Sequence, residues 1–278
     1  MKVDVRHTSH PEAVRGFDTE TLRRHFLVET VFAGGDVRLT YSHYDRMVIG
    51  GAMPVGEALP LSAPAAIGQA TFLAERELGV LNVGGKGSIS VDGKAYDLAK
   101  YDCLYIGKGA TDIRFESADA NDPAKFYLVS TPAHASYPTV LLTRDQARHQ
   151  TPGEAETANK RSIYQYIHPE VCQSCQLTMG LTMLEAGSVW NTMPSHTHDR
   201  RMEAYLYFDL AADQRVFHLM GEPQETRHML VANEQAIISP PWSIHSGAGT
   251  KNYSFIWAMA GDNKSFTDMD HIAVGDLR

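Results

Sequence analysis

Along most of this chain, hydrophobic and polar positions alternate in short runs rich in Val, Ile, Tyr, Phe and Thr. Gly, Pro, Asn and Asp interrupt those runs at close intervals. A two-residue period broken by turn formers predicts the strands of an all-β sandwich or barrel. The plainest hairpin is GSISVDGKAYDL, where Ile89 and Val91 alternate with polar residues and Asp92-Gly93 supplies the turn. A second strand pair is expected in YDCLYIGKGATDIRFES, broken at Gly107-Lys108-Gly109. One short stretch suits a helix: Asp18 to Phe26 opens with Asp18 and Thr19 and carries Leu22 and Phe26 four apart.

The pattern weakens from about Thr131 to Lys160, where Pro132, Pro138, Pro152, Gly153 and the run GEAETANK make the chain polar. This reads as a connection. Strands then resume in RSIYQYI, CQLTMGLTML, EAYLYFDL, VFHLM, AIISP and YSFIWAMA. Two β barrels in tandem are the simplest architecture: an N-terminal domain over 1–135, a connecting segment over 136–160 and a C-terminal domain over 161–278. The halves share no obvious sequence repeat, so the duplication is inferred from pattern.

Composition narrows the class. With 43% hydrophobic and 21% charged residues the chain reads as an ordinary soluble globular protein. A net charge of -8 argues against a nucleic-acid partner, which needs a concentrated basic surface. The first residues carry charges where a secretory signal needs an apolar core, and no apolar run is long enough to cross a bilayer. A cytoplasmic location, with no membrane partner, is the expectation. The three cysteines, Cys103, Cys172 and Cys175, are too few for a disulfide framework. Cys172 and Cys175 have CxxC spacing without a second such pair, so they read as small buried side chains.

Chemistry concentrates in PSHTHDRRMEAYLYF. On a strand, His196 and His198 point to one face. Glu203, five residues on, would face the other way unless Asp199-Arg200-Arg201 contains a bulge or bend. His245 follows in SPPWSIHSGAG. Three imidazoles and one carboxylate suit a divalent transition metal such as zinc, manganese, iron or nickel.

HxHx4E followed some forty residues later by a proline-led turn and His resembles the paired metal motifs of the cupin superfamily. The match is not complete, because Leu210, Trp242 and Gly249 depart from the residues usual at those motif positions. The chain more specifically resembles the 5-keto-4-deoxyuronate isomerase family. The strings that carry the likeness are YSHYDRMVIGGAMP, ERELGVLNVGGKGSISVDG, NTMPSHTHDRRMEAYLYFDL, MGEPQETRHMLVANEQAIISPPWSIHSG and the tail DMDHIAVGDLR. The resemblance implies a bicupin, two tandem double-stranded β-helix (jelly-roll) barrels with few short helices. It also implies one Zn2+ per chain on His196, His198, Glu203 and His245, hexameric assembly, and a role in pectin-derived uronate breakdown. The implied reaction is an aldose–ketose isomerisation of 5-dehydro-4-deoxy-D-glucuronate to 3-deoxy-D-glycero-2,5-hexodiulosonate.

The N-terminal half resembles a cupin without its metal. Its nearest candidate is His43 in YSHYDRM, and a lone histidine reads as a hydrogen-bonded structural residue. Parity adds that Tyr205 and Tyr207 share the face of Glu203, while Ala204, Leu206 and Phe208 form an apolar outward row that some further layer must cover. A substrate carboxylate calls for arginine, with Arg161, Arg200 and Arg201 as candidates. No residue stands out as the catalytic base. The same ligands leave open an isomerase of 5-deoxy-glucuronate, an iron cupin dioxygenase and a non-enzymatic sugar-binding bicupin.

Overall fold

The computed structural model describes all 278 residues, and its regular secondary structure is mostly strand. A seven-stranded sheet runs in the order Lys2–Arg6, Asp36–Ser42, Val48–Met53, Phe126–Pro132, Arg76–Asn82, Cys103–Ile106 and Val140–Leu142. A four-stranded sheet, Leu59–Pro60, Ile113–Ser117, Gly87–Val91 and Lys94–Leu98, accompanies it. One core joins the two: Leu39, Val80, Phe126 and Leu128 of the first pack with Ile89, Val91 and Phe115 of the second. Alternation explains the choice. In Gly87–Val91 every second residue is buried, which is how a strand turns one face to a core and the other to solvent.

The same 7 + 4 arrangement recurs in the second half. Its larger sheet runs Arg148–Gln150, Arg161–Ile167, Thr178–Leu184, Ser254–Gly261, Arg201–Phe208, Gln235–Ser239 and Leu27–Val28. Its smaller sheet runs Trp190–Asn191, Ser246–Gly249, Val216–Glu222 and Glu225–Val231. The duplication that sequence pattern only suggested is explicit in the topology.

The expected hairpin forms with Gly87–Val91 paired to Lys94–Leu98, and its turn residues Asp92 and Gly93 take φ of 48° and 85°, as a two-residue primed turn requires. The expected helix spans Thr19–Phe26; Asp18 caps it by accepting from the Thr21 amide at 2.8 Å, and Leu22 and Phe26 are buried. The second strand pair is corrected. Cys103–Ile106 and Ile113–Ser117 are both strands, but they lie in different sheets, the first beside Arg76–Asn82 and the second beside Gly87–Val91. The break at Gly107-Lys108-Gly109 therefore marks a passage between sheets.

The compact units also depart from the linear division 1–135, 136–160 and 161–278. One comprises Met1–Arg6, Thr30–Arg148 and Tyr166–Met179; the other His7–Glu29, His149–Gln165 and Gly180–Arg278. Long-range pairing is the reason. Leu27–Val28 completes a sheet edge against Gln235–Ser239, and Lys2–Arg6 lies parallel to Asp36–Ser42.

In the first unit Glu77 is wholly buried and its carboxylate accepts five hydrogen bonds. The donors are the hydroxyls of Tyr105 (2.8 Å) and Thr131 (3.1 Å) and the amides of Cys175, Gln176 and Leu177 (2.7, 2.9 and 2.9 Å). A buried charge is tolerable when its lone pairs are satisfied in this way. Cys103, Cys172 and Cys175 are all free thiols.

Candidate metal centre

The ligand pair opens from an irregular strand. His196–Thr197 pairs with Asp270–His271, the chain then turns with the Arg201 amide donating to the His198 carbonyl at 3.0 Å, and the long strand Arg201–Phe208 begins. That turn is the bend that odd spacing demanded, and it brings Glu203 round to the histidines. His245 arrives just before Ser246–Gly249, after a turn in which the Ser243 amide donates to the Pro240 carbonyl. The ligating atoms of His196, His198, Glu203 and His245 all lie within 4.8 Å of one another, and all four residues are buried.

The fine geometry fits a cation. The Nδ1 atoms of His198 and His245 face the carbonyls of Arg201 (2.8 Å) and Ser243 (3.3 Å), so each Nδ1 carries the proton and each Nε2 presents a lone pair. Those Nε2 atoms stand 3.1 and 3.0 Å from one Glu203 oxygen, and His245 Nε2 is 3.0 Å from His196 Nε2. Lone pairs and a carboxylate converging inside a buried site repel one another unless positive charge lies between them. Their titration reflects the same conflict. Burial, then the charge of His245, pushes His196 down to about 2. At Glu203, burial acts to raise the carboxyl but His245 and His198 outweigh it and hold it well below the usual range. His198 is raised because Glu203 overcomes the effect of burial.

The cluster opens into a cavity of about 660 Å³. His196, Glu203, Tyr205 and Thr192 line its polar side, while Phe255, Trp257, Met259, Phe266 and Met269 supply apolar wall. Arg161 is the one arginine or lysine in the lining, and burial lowers its pKa. Pockets of this size, mostly apolar with a few placed polar groups, are the usual form of small-molecule sites.

Other residues singled out in the sequence fall differently. Tyr205 lines the cavity, whereas Tyr207 lies behind it with its hydroxyl 2.8 Å from Nδ1 of the fully buried His218. Ala204, Leu206 and Phe208 are buried with only this chain present, so the chain itself covers the outward row. Arg200 is taken up by Asp268 and Asp270, and buried Arg201 donates to the Asp268 carbonyl; neither lines the cavity. His43 is exposed, with its ring 5.3 Å from Tyr41 and its amide bonded to the Arg6 carbonyl.

Several wall residues escaped sequence reasoning. Phe266, Met269, His271 and Ile272 belong to the C-terminal segment, which has no hydrophobic period of its own; Met269, His271 and Ile272 are visible only within the family-like tail DMDHIAVGDLR, and Phe266 lies outside it. Thr192 was missed as well. It has φ of 50°, a left-handed conformation that costs a branched residue about 1–3 kcal/mol.

This fold and site define a bicupin with a His3Glu cluster, and comparison with known proteins agrees. The model of the KduI/IolB family matches residues 26–274, and the chain belongs to that family. The chain is 53% identical over 276 residues to the 4-deoxy-L-threo-5-hexosulose-uronate ketol-isomerase 2 of Enterococcus faecalis, covering 99% of this chain and 100% of that protein. It is 54% identical, at the same coverage, to the 4-deoxy-L-threo-5-hexosulose-uronate ketol-isomerase of Halalkalibacterium halodurans. Among solved structures, an IolB-like protein from Salmonella typhimurium superposes with a TM-score of 0.69 at 16% identity, covering 89% of this chain and 96% of that one. At that identity the likeness speaks for the cupin fold alone.

Proposed function

We propose that this protein is a metal-dependent ketol-isomerase that converts 4-deoxy-L-threo-5-hexosulose uronate to 3-deoxy-D-glycero-2,5-hexodiulosonate in uronate breakdown. The observation that carries the reading is a buried His3Glu cluster opening on a cavity whose one lining arginine is Arg161. The full-length relatives named for this reaction support it. An IolB-type activity on 5-deoxy-glucuronate is the second reading, favoured only by the breadth of the family model, which spans KduI and IolB.

The reaction is internally balanced. The hydrogen on C2 leaves and one arrives on C1, O2 gives up its proton and O1 gains one, and no outside oxidant is needed. His196, His198, Glu203 and His245 would hold one divalent ion per chain, zinc being the expected metal. Such an ion supplies a Lewis acid that polarises a carbonyl and acidifies the neighbouring C–H bond without redox change. Arg161, part-buried and always charged, would hold the carboxylate end. Phe255, Trp257 and Met259 exclude water from the reacting end. Burial raises the Tyr205 hydroxyl well above its ordinary pKa, so it stays protonated and serves as a hydrogen-bond donor. The base that moves the carbon-bound proton is not assigned. A homo-oligomer, a hexamer by family resemblance, and a cytoplasmic location belong to the same proposal; no helix here is long and apolar enough to cross a membrane.

The test is product analysis by NMR after incubating zinc-loaded protein with the unsaturated-uronate breakdown product, with 5-deoxy-glucuronate as the competing substrate. Conversion of the first compound to the 2,5-diulosonate is expected. Exclusive turnover of the second would move the protein to the IolB branch, and oxygen uptake in place of isomerisation would make it a dioxygenase. Arg161→Met should raise KM for the uronate about tenfold or more.

A further inference from the structure

Thr192 stands between the strand Trp190–Asn191 and the ligand pair with its backbone in the left-handed region. A position needed only as a turn is best filled by Gly or Asn, because a branched Cβ is poorly tolerated there. The backbone is held by a relay of hydroxyls. Ser246 donates to the Thr192 carbonyl at 2.7 Å and lies 2.7 Å from the Ser195 hydroxyl, both serines being fully buried. These contacts engage the carbonyl and leave the side chain for another task. Its Oγ1 lies 3.2 Å from the hydroxyl of Tyr205, and both residues line the cavity with His196 and Glu203.

Neither hydroxyl has a further hydrogen-bond partner within the chain. Each carries one proton and two lone pairs. When one donates to the other, the pair keeps one free proton and three lone pairs. That set can give and receive a hydrogen bond at one point, which matches an alcohol. A carboxylate only accepts, and Arg161 already offers donors for it in the same cavity.

We propose that Thr192 and Tyr205 form a hydroxyl-binding pair that takes the substrate alcohol next to the two carbons that exchange hydrogen. The proposal rests on the isomerase reading above. In the 4-deoxy uronate the alcohol in question is the one on C3. With the carboxylate at Arg161 and this hydroxyl at Thr192 and Tyr205, an open-chain acid is fixed at two points and its C1–C2 end is left for the His3Glu cluster. The strained backbone is then the means of aiming Oγ1 into the cavity.

The experiment compares zinc-loaded wild type, Thr192→Val, Thr192→Ser, Tyr205→Phe and the double variant Thr192→Val/Tyr205→Phe on two compounds: the uronate, and its analogue lacking the C3 hydroxyl. Bound metal per chain is measured for each protein and should not change. On the uronate, kcat/KM should fall about tenfold or more in the Val and Phe variants and stay within about threefold in the Ser variant. On the analogue, wild type, Val and Phe variants should be nearly equal, and on the uronate the double variant should be no worse than the worse single. If the Val variant loses nothing, or loses the same factor on both compounds, the side chain does not bind that alcohol and the proposal is overturned while the isomerase reading stands. Wild-type protein that isomerises neither compound overturns the isomerase reading itself, and the assigned role goes with it.

Discussion

Arg200 grips Asp268 through three hydrogen bonds, its Nε lying 3.1 and 3.2 Å from the two carboxylate oxygens and its Nη2 lying 2.6 Å from one of them. A fourth contact runs from Nη1 to Asp270 at 2.8 Å, and Asn263 donates to Asp268 at 2.6 Å. The residue two positions after His198 thereby fastens the segment that carries Phe266, Met269, His271 and Ile272 into the cavity wall. Asp268 responds as a carboxylate so held should: the hydrogen bonds from Arg200, then from Asn263, lower it to about 2.

Releasing that clasp should loosen the wall and spare the metal. For Arg200→Ala the expected outcome is a several-fold rise in KM with bound metal near the wild-type level. Backbone amides of residues 263–273 should exchange faster with deuterium, while those of Arg201–Phe208 stay protected. Unchanged exchange in the segment would show that its remaining contacts, the pairing of Asp270–His271 on His196–Thr197 and the Arg201 bond to the Asp268 carbonyl, are enough to hold it.

Metal and stability should fall together at the His3Glu cluster. Replacing His198 with Ala removes one of four ligands and leaves Glu203 beside two imidazoles in a buried site, so affinity for zinc should drop roughly a hundredfold or more. Elemental analysis of wild type should give close to one ion per chain, and chelation should lower its melting temperature toward that of the variant. Full activity in a metal-free His198→Ala protein would falsify the site. A second ion, lost on changing His43, would show that the N-terminal barrel had been misjudged.

His218 contributes to the pH dependence beside His196. Burial, followed by the nearby His245, pushes it from the usual 6.5 down to about 3, so it is neutral in the folded protein. For a group whose folded pKa is depressed, the associated stability is complete above about 6.5 and is lost as pH falls toward about 3. By pH 5 the unfolded chain gains about 2 kcal/mol from protonating this one residue. Urea titrations of metal-free protein should therefore show an acid limb that His218→Gln makes shallower by about that amount. An unaltered limb would assign the acid sensitivity elsewhere, with His196 the next group to change.

In the first unit, Glu77→Gln keeps the shape but turns an amide nitrogen toward groups that are themselves donors. With five hydrogen bonds converging on that carboxylate, the unit should lose about 3 kcal/mol of stability. Zinc content should stay constant if the protein folds. A loss below about 0.5 kcal/mol in denaturant melts would mean that water replaces the lost acceptor.

The strands and the members of the His3Glu cluster were legible in the sequence because both are largely local signals. Ile89 and Val91 around Asp92-Gly93 state their own hairpin, and His196, His198 and Glu203 lie within eight residues of one another. Even the turn at Asp199-Arg200-Arg201 followed from parity, since Glu203 could not otherwise join the histidines. What stayed hidden depends on partners far along the chain. Nothing near Glu77 announces that the amides of residues 175–177 will meet it. Arg200 and Arg201 resembled substrate arginines as much as Arg161 did, and only the position of Asp268 separates them. Thr192 lacks any pattern, because a backbone angle leaves no mark on hydrophobic spacing.

The interleaved composition of the two compact units also bears on how the chain is made. The segment His7–Glu29 emerges from the ribosome early, yet Leu27–Val28 finds its sheet partner only at Gln235–Ser239, about 200 residues later. At about 5–20 residues per second that is a wait of roughly 10 to 40 s. Throughout it Phe26 and Leu22, buried in the finished protein, lack the strands Glu225–Val231 and Gln235–Ser239 on which their helix packs. The nascent chain thus carries an amphipathic helix with its apolar face uncovered through that interval, a period in which a holding chaperone is useful and a truncated transcript is hazardous.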